Sequence, residues 1–207
     1  MMGDELIAGL SVSRETSQDL QTFTKLTKKW TRRINLVAPS TVDIIWDRHI
    51  RDSAQLLQKA PNQWQHWLDL GSGGGFPGLV IGILAPRDCR VTLVESDLRK
   101  CTFLRTVIRE LELNVKVVNA RIEELEVDPA DVVSARALAP LGQLLDYAAR
   151  SLDERGIALF PKGETHATEI LSAQKAWHFE YDALPSITNP NARILRIARI
   201  RKRGSQP

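Results

Sequence analysis

The sequence predicts an α/β fold, a mostly parallel sheet of seven strands with helices on both faces, preceded by a helical extension. After about residue 65, short apolar or β-branched runs alternate with segments of helical period, which is typical of parallel strands joined by helices. Only a short loop, residues 185–191, separates the last two runs, so these strands are expected to pair antiparallel. We therefore expect a helical extension over residues 1–65 and a sheet domain over residues 66–207.

The extension is predicted to be helical, with breaks near Pro39 and Pro61. Between residues 18 and 35, cationic side chains recur on one face at helical spacing, and apolar side chains recur on the opposite face. Such a helix can pack on a core with one stripe and present the other to solvent or to a polyanionic partner. The cations of this face are Lys25, Lys28, Lys29, Arg32 and Arg33.

The strands of the sheet domain are predicted from short apolar runs, and its helices from apolar residues three or four positions apart. The first of these helices has Pro77 at its start, where a fixed φ favours a helix. This arrangement resembles the Rossmann-like architecture of class I methyltransferases. In chain order the strands are 67–70, 90–95, 115–119, 131–135, 156–160, 179–184 and 194–200, and the helices are 78–84, 97–113, 140–152 and 165–177.

The composition suits a cytoplasmic protein without a membrane partner or a metal. The chain has 207 residues, 43% of them hydrophobic, which is enough for a buried core. Residues 1–5 lack the basic start of a secretory signal, and the longest apolar run, 79–85, is too short to span a bilayer. Cys89 and Cys101 have neither zinc-ligand spacing nor a disulfide framework, so a reducing compartment is expected.

A glycine turn follows the first predicted strand of the sheet. Gly71 and Gly73 remove Cβ atoms where the backbone must turn tightly and approach a ligand. A dinucleotide-binding turn would have its third glycine where this chain has Phe76. With Asp69 before the turn and Glu95 at the end of the next strand, the segment favours S-adenosylmethionine, a nucleoside without phosphates. Asp69 could face the ammonium group of that ligand or cap the following helix.

Further candidates for donor binding follow the second and third strands, because ligands of open α/β sheets lie beyond the carboxyl ends of the strands. Glu95 follows Gly71 at close to the spacing of about 20 residues at which an acid accepts ribose hydroxyls. Ser96 stands beside it. Ile122 and Glu123 are candidates for contact with adenine, although Glu123 could equally belong to a solvated loop.

The residues after the fourth strand exclude two kinds of methylase. Residues 134–140 lack the Asn or Asp, two prolines and aromatic residue of amine methylases, and also the nucleophilic cysteine of C5-pyrimidine methylases. An acceptor with an accessible lone pair, such as a purine N7, remains, and catalysis by alignment would suffice. Arg136, Lys162, Arg99 and Lys100 are predicted at the same edge, where they could hold phosphate or guanine O6. Lys162 could equally be an ordinary surface lysine.

One group of residues has no role that spacing explains. Arg48 and His49 precede Asp52 and Ser53, and a histidine in such a setting is more often part of a structural hydrogen-bond network than catalytic.

Seven different motifs occur one after another along nearly the whole chain. They are residues 30–36, Arg48, His49 and Ile50 with Asp52 and Ser53, residues 68–78, Glu95 and Ser96 followed by Phe103 and Leu104, Arg121, Ile122 and Glu123, Ser134, Arg136 and Ala137, and Lys162 with Gly163. The ordered set resembles the bacterial small-subunit rRNA guanine-N7 methyltransferases, also called glucose-inhibited division protein B. The chain departs from that pattern at Thr31, Val37, Glu95, Arg99 and Lys100, which bears on the expected RNA contacts and not on donor binding.

The resemblance implies methylation of N7 on a guanine in the conserved loop of 16S rRNA near the decoding site. The expected partner is 16S rRNA in the small ribosomal subunit or an assembly precursor, without DNA, and the expected state is a monomer. Arg136 and Lys162 are the expected catalytic residues. The expected donor site is Asp69, Gly71, Gly73, Phe76, Glu95, Ser96, Ile122, Glu123 and Arg136, and the expected RNA contacts are Lys28, Arg32, Arg33, Arg48, His49, Arg99, Lys100 and Lys162.

Two other functions stay open at the level of the sequence. An oxidoreductase that binds a dinucleotide would use the same strand, turn and helix, although Phe76 argues against it and the basic residues would have no task. A non-catalytic RNA-binding module would keep donor binding only as a structural relic. Binding of a labelled methyl donor, compared with nicotinamide fluorescence, separates the oxidoreductase from the methyltransferase. Binding of rRNA without methyl transfer would identify the non-catalytic module.

Overall fold

The computed structural model describes residues 5–204 and confirms the α/β fold. Residues 1–4 and 205–207 lie outside the described residues. The prediction that the chain lacks a secretory signal rests largely on residues 1–4. Short 3₁₀ turns lie at Pro39–Thr41, Leu57–Lys59 and Ile122–Glu124, and a π-helical turn at Trp46–Arg51. The strands and helices are β1 (Glu5–Ile7), β2 (Leu10–Val12), α1 (Arg14–Thr31), α2 (Asp52–Ala54), β3 (His66–Leu70), α3 (Gly78–Leu84), β4 (Arg90–Glu95), α4 (Leu98–Glu110), β5 (Val115–Asn119), β6 (Ala130–Ala135), α5 (Leu141–Ser151), β7 (Leu152–Lys162), α6 (His166–Ala173), β8 (Trp177–Pro185) and β9 (Arg193–Lys202).

The main sheet has seven strands in the order β5-β4-β3-β6-β7-β9-β8. The pairs β3 with β4, β4 with β5, β3 with β6 and β6 with β7 are parallel. Strand β9 pairs antiparallel with both β7 and β8, as predicted from the short loop between the last two strands. Since the winding reverses between β3 and β6, the carboxyl ends of these two strands form the switch point at which such sheets bind ligands.

The start of the extension is not helical, and that prediction was wrong. Strands β1 and β2 form a hairpin through Ala8 and Gly9, whose φ angles are 53° and 83°. A two-residue hairpin loop requires positive φ, which glycine adopts at low cost. Strands of three residues are too short to produce a recognisable alternation of apolar and polar side chains, so the sequence gives no clear signal here.

Helix α1 begins four residues before the predicted position and ends at Thr31 instead of residue 35. It begins early because the Ser13 side chain accepts a hydrogen bond from the Thr16 backbone N–H at 3.1 Å. Phe23 is fully buried, with its ring centroid 5.0 Å from that of Phe76 and 6.4 Å from that of Phe103. The apolar stripe therefore packs on the sheet domain, and most cations of the opposite stripe are exposed.

The other boundaries differ by a few residues. Strand β7 begins at Leu152 rather than 156, directly after α5, and its pairing with β6 is interrupted between Ala130 and Val132. Helix α6 ends at Ala173 rather than 177, because Trp177 already belongs to β8.

The core lies on both faces of the sheet. Every residue of β3 is buried, with Trp67 facing the side of α1, α3 and α4 and Leu68 and Leu70 facing the side of α5 and α6. Burial on both faces is typical of a central parallel strand, and its two polar side chains, His66 and Asp69, are hydrogen-bonded within the protein. Each helix within residues 5–204 is too short or too polar to cross a lipid bilayer.

Candidate functional site

Two adjoining cavities open at the carboxyl ends of β3, β4 and β6. The larger cavity has a volume of about 560 Å³ and the smaller about 410 Å³, both within the range of small-molecule sites, about 300–1,000 Å³. Their shared border consists of Gly71, Gly73, Lys100, Arg136 and Ala137. A ligand in one cavity would therefore lie beside a ligand in the other.

The glycine turn has a left-handed backbone. The φ angles of Gly71, Gly73 and Gly75 are 65°, 53° and 86°. A Cβ on Gly71 would lie 2.6 Å from Cδ1 of Leu138, whereas a Cβ on Gly73 would meet only the Gly71 carbonyl oxygen, at 3.7 Å. A side chain at Gly71 would thus need Leu138 to shift, in addition to its unfavourable positive φ, whereas Gly73 leaves open space on the border of the cavities.

Three backbone N–H groups of the turn, those of Ser72, Gly73 and Gly75, are bonded within the protein. Gly73 donates to Oε2 of Glu95 at 2.8 Å, and Gly75 donates to the Ser72 carbonyl at 2.7 Å. Ser72 itself donates to the Val94 carbonyl at 3.0 Å. A pyrophosphate would need these donors and would face the Glu95 carboxylate. The turn therefore fits a nucleoside without phosphates better than a dinucleotide.

Two carboxylates, those of Glu95 and Glu123, line the smaller cavity. Oε1 of Glu95 accepts a hydrogen bond from the Asp97 N–H at 2.8 Å, so each oxygen still has a lone pair for a ribose hydroxyl. Glu123 accepts a hydrogen bond from the Tyr147 hydroxyl, which lowers the pKa of this glutamate. Ser96 and Ile122 also line this cavity. The predicted donor residues Glu95, Ser96, Ile122 and Glu123 thus surround one space.

Helix α5 supplies residues of the smaller cavity that the sequence analysis missed. Tyr147 lies one turn after Gln143, whose Nε2 donates to the Tyr147 hydroxyl at 2.5 Å. The two belong to a helix whose apolar periodicity predicts only core packing, so no sequence signal marks them as site residues.

Asp69 lies beneath the turn and lines neither cavity. Its Oδ1 accepts from the Ser134 hydroxyl at 2.7 Å, and its Oδ2 accepts from the Gly78 N–H at 3.2 Å. Burial raises the pKa of this carboxyl to about 6. The contact with Gly78 corresponds to the helix-capping alternative considered from the sequence.

Arg136 occupies the border of the cavities. Its Nη2 donates to Nδ1 of His49 at 2.7 Å, and its Nη1 lies 3.3 Å from Oδ2 of Asp52. Its guanidinium carbon stands 5.3 Å from the ring centroid of Phe76, within the range of a cation–π contact. Phe76 lines the larger cavity, where its ring lies against the guanidinium of Arg136. It does not line the smaller cavity.

His49 is buried beside Arg136 and is neutral. Burial, reinforced by the charges of Arg136 and Arg48, lowers its pKa to about 3. Because the guanidinium can only donate, Nδ1 must accept, and the ring proton must be on Nε2, which lies 2.9 Å from the Thr41 hydroxyl. Both ring nitrogens are therefore engaged within the protein.

Lys162 lines the larger cavity, but its ammonium group is hydrogen-bonded within the protein. It donates to the Ala139 carbonyl and to Oε2 of Glu169, both at 2.8 Å. The same Glu169 oxygen accepts from the Leu141 N–H at 2.8 Å. Lys162 thus joins the end of β7 to the starts of α5 and α6 and is largely buried.

The remaining predicted cations divide into two groups. Arg48 and Lys100 line the larger cavity, and Lys100 also lines the smaller one. Arg99 is exposed, pairs with Asp97 at 3.2 Å and lines neither cavity. The cations in the last turn of α1 and just after its end line neither cavity, and no acidic side chain of residues 5–204 pairs with them. These cations are Lys28, Arg32 and Arg33.

The walls of the larger cavity include loops that the sequence analysis did not mark. One is the segment after α1, and the other is the loop between β8 and β9, which is tied to the extension by a hydrogen bond from Thr188 to Asp52 at 2.5 Å. Within residues 5–204, no cluster of His, Cys, Asp and Glu is suited to hold a metal ion. The loop residues of the wall are Leu36, Val37, Ala38, Ser186, Asn189 and Ala192, and Arg193 at the start of β9 adjoins them.

Comparison with known proteins gives a family match over most of the chain. The family described as rRNA small subunit methyltransferase G matches residues 16–195. The ribosomal RNA small subunit methyltransferase G of Cereibacter sphaeroides is 52% identical over 200 residues, which cover 95% of this chain and 97% of that protein. The protein of the same name from Rhodospirillum centenum is 48% identical over 199 residues, covering 96% and 91%.

Solved structures share the fold at low identity. A precorrin-6y C5,15-methyltransferase from Geobacter metallireducens aligns with a TM-score of 0.54 and 18% identity, covering 80% of this chain and 90% of that one. A ribosomal protein L11 methylase from Lactobacillus delbrueckii subsp. bulgaricus aligns with a TM-score of 0.58 and 15% identity, covering 73% and 78%. These likenesses show the class I methyltransferase fold.

Proposed function

This chain belongs to the rRNA small subunit methyltransferase G family, and from that premise we propose that it methylates N7 of a guanine in 16S rRNA, in the conserved loop near the decoding site. The cofactor is S-adenosylmethionine, which supplies a methyl group on a positively charged sulfur. The substrate is 16S rRNA within the small subunit or an assembly precursor. The protein is expected to act as a monomer in the cytoplasm.

Donor binding is assigned to the smaller cavity. Glu95 has lone pairs free for the ribose hydroxyls, and Ser96 stands beside it at the exposed rim. Ile122 offers an apolar surface for adenine, and Glu123 lies close enough to accept from a polar group there. The open space at Gly73 lets the ligand approach the backbone, which supports the fit of a nucleoside to this cavity.

The observation that best supports N7 as the acceptor atom is that each side chain of the larger cavity that could act as a base is already paired within the protein. His49 has both ring nitrogens bonded, Asp52 is paired with Arg136, and Glu169 is paired with Lys162. Removing a proton from an amino group or a hydroxyl would require an unengaged base within reach. A guanine N7 already has its lone pair, so it needs only to be aligned with the methyl group.

The larger cavity is assigned to the acceptor base. Its volume suits a single nucleotide turned out of its stack, which is how enzymes reach a base in folded nucleic acid. Arg48 and Lys100 at the lining can contact phosphates, and Arg136 can donate to O6 without occupying N7. Lys162 supports the wall through Glu169 rather than offering a free charge.

The proposal is tested by incubating the purified chain with small ribosomal subunits or their assembly precursors. The S-adenosylmethionine in this reaction is labelled in its methyl group. The rRNA is then digested to nucleosides and separated by chromatography. We expect the label to be in N7-methylguanosine. Label in a methylated adenosine or cytidine, or no label in RNA, would contradict the proposal.

A further inference from the structure

The motif of Arg48, His49 and Asp52, to which spacing alone gave no role, meets Arg136 in the folded chain. We propose that His49 and Asp52 are positioning residues that hold the guanidinium of Arg136 at the border of the two cavities. The inference rests on the proposed function, because a guanidinium fixed at this border would align the donor with the acceptor.

The geometry holds Arg136 from two sides. One terminal nitrogen donates to Nδ1 of His49 at 2.7 Å, and the other lies 3.3 Å from Oδ2 of Asp52 and 3.4 Å from the carbonyl oxygen of Arg48. Phe76 lies against its face. A guanidinium has five N–H donors in a rigid plane, so Nε–H and one proton of Nη2 are left for ligands.

The groups that hold Arg136 are themselves fixed. The Nε2–H of His49 bonds to Thr41, which gives the ring a single orientation and leaves Nδ1 as an acceptor. Oδ1 of Asp52 accepts from Nε2 of Gln55 at 3.0 Å and from the Thr188 hydroxyl at 2.5 Å. Since Asp52 is only 6% exposed, its pairing with Arg136 is shielded from solvent.

The extension is thereby connected to the catalytic edge of the sheet. Arg136 follows β6 directly, whereas His49 and Asp52 lie in the π-helical turn and α2 of the extension. Without these partners the long Arg136 side chain would sample several rotamers, and each departure would misplace its remaining donors. Small misplacements of this kind reduce rate more than they reduce binding.

The test is a double-mutant cycle on methyl transfer, using Arg136→Ala, His49→Ala and the variant with both changes. We expect His49→Ala to lower kcat by about 10-fold or more, with a smaller change in KM for the RNA. In the Arg136→Ala background, His49→Ala should lower kcat by less than about 2-fold, because its effect acts through Arg136. Equal losses in both backgrounds would overturn the proposal.

Two further variants distinguish positioning from general support of the fold. His49→Asn places an amide oxygen close to the position of Nδ1, so it should recover most of the kcat lost in His49→Ala. His66 is the matched control, because it is also buried, bonds to Pro129 and Thr92 through its two ring nitrogens, and lines neither cavity. His66→Ala should have the same effect on kcat with and without Arg136. Failure of His49→Asn to exceed His49→Ala would count against positioning.

A measurement without donor or RNA separates this inference from the proposed function. Nitrogen-15 NMR of the histidine rings in the intact chain should show His49 protonated on Nε2, with Nδ1 shifted by the hydrogen bond from Arg136. Arg136→Ala should move the Nδ1 resonance, and an unchanged resonance would overturn the inference. If the wild-type chain transfers no methyl group to RNA while the resonance moves as expected, the proposed function alone fails.

Discussion

Gly73 combines a backbone constraint with a place on the border of both cavities. Its φ of 53° is costly for a residue with a Cβ, and that Cβ would project into open space on the ligand side. We expect Gly73→Ala to lower the free energy of unfolding by about 1–2 kcal/mol. We also expect it to weaken donor binding by about 10-fold, because the added carbon would stand where the ligand approaches. Calorimetry with S-adenosylmethionine measures this affinity.

The control for Gly73→Ala is Gly142→Ala. Gly142 lies in α5, has no positive φ, and a Cβ there would meet nothing within 4 Å. Alanine is favoured over glycine in a helix, so this variant should keep its donor affinity and gain slightly in stability. An unchanged donor affinity in Gly73→Ala would contradict the placement of the ligand beside the turn.

His49 makes stability depend on pH in a defined direction. Its pKa falls from about 6.5 in the unfolded chain to about 3 in the folded one, so the unfolded state binds more protons between these values. The stability that this neutral histidine contributes is full above pH 6.5 and is lost as the pH falls toward 3. We expect the stability of the wild type relative to His49→Asn to fall by about 1.4 kcal/mol per pH unit between pH 6 and 4.

Denaturant unfolding at several pH values measures this difference. Comparison with His49→Asn is necessary because Asp69 has the opposite effect. Its pKa is raised from 3.8 to about 6, so its folded state binds more protons in that window and stability rises as the pH falls. Parallel stability curves for the wild type and His49→Asn would show that His49 titrates normally.

Among single residues, the sequence predicted those of the turn and strand ends better than those of the hydrogen-bond networks. Glu95, Ser96 and Ile122 line one cavity as expected, because the rule for open sheets depends only on strand order. Ser134 lies 65 positions from its partner Asp69, and Arg136 lies 87 positions from its partner His49. Contacts over such separations leave no periodic signal, so neither network could be predicted.

The cationic stripe of helix α1 continues past its end at Thr31 into Arg32 and Arg33, and its role depends on RNA binding. If this stripe contacts phosphates, replacing Arg32 and Arg33 with Gln should reduce the slope of log affinity against log salt by about one unit per lost contact. Both are exposed and have no acidic partner among the described residues. RNA binding measured at several salt concentrations gives the slope.

The matched control removes the same charge elsewhere. Arg87 and Arg155 are also exposed and lie near the amino ends of β4 and of the paired part of β7, at the edge of the sheet opposite the cavities. Replacing both with Gln should leave the salt slope nearly unchanged. Equal slopes for the two double variants would assign the α1 stripe to solvent rather than RNA.

Elements with strong local signals were predicted to the residue. Strands β4 and β5 and helix α3 have the predicted bounds, because turn residues delimit each apolar run. The β1 and β2 hairpin was missed because its strands are three residues long. The start of helix α1 was predicted four residues too late because the Ser13 cap sets it, and the apolar stripe alone cannot indicate a cap.

For the whole molecule, the sheet order and the extension together define the two adjoining cavities. The reversal between β3 and β6 places the glycine turn beside Arg136, which the sequence predicted from strand order. The extension then closes one wall of the larger cavity through His49 and Asp52. That closure depends on tertiary packing of α1 and the turns after it, so the sequence predicted RNA contacts for the extension but not its hydrogen bonds to Arg136.

The most direct measurement of the central claim maps N7-methylguanine along 16S rRNA from cells with and without this chain. The account predicts that one guanine near the decoding site loses its N7 methyl group when the chain is absent. The wild-type chain should restore it, and Arg136→Ala should not. An unchanged map, or loss of a methyl group from another atom or another rRNA, would contradict the account.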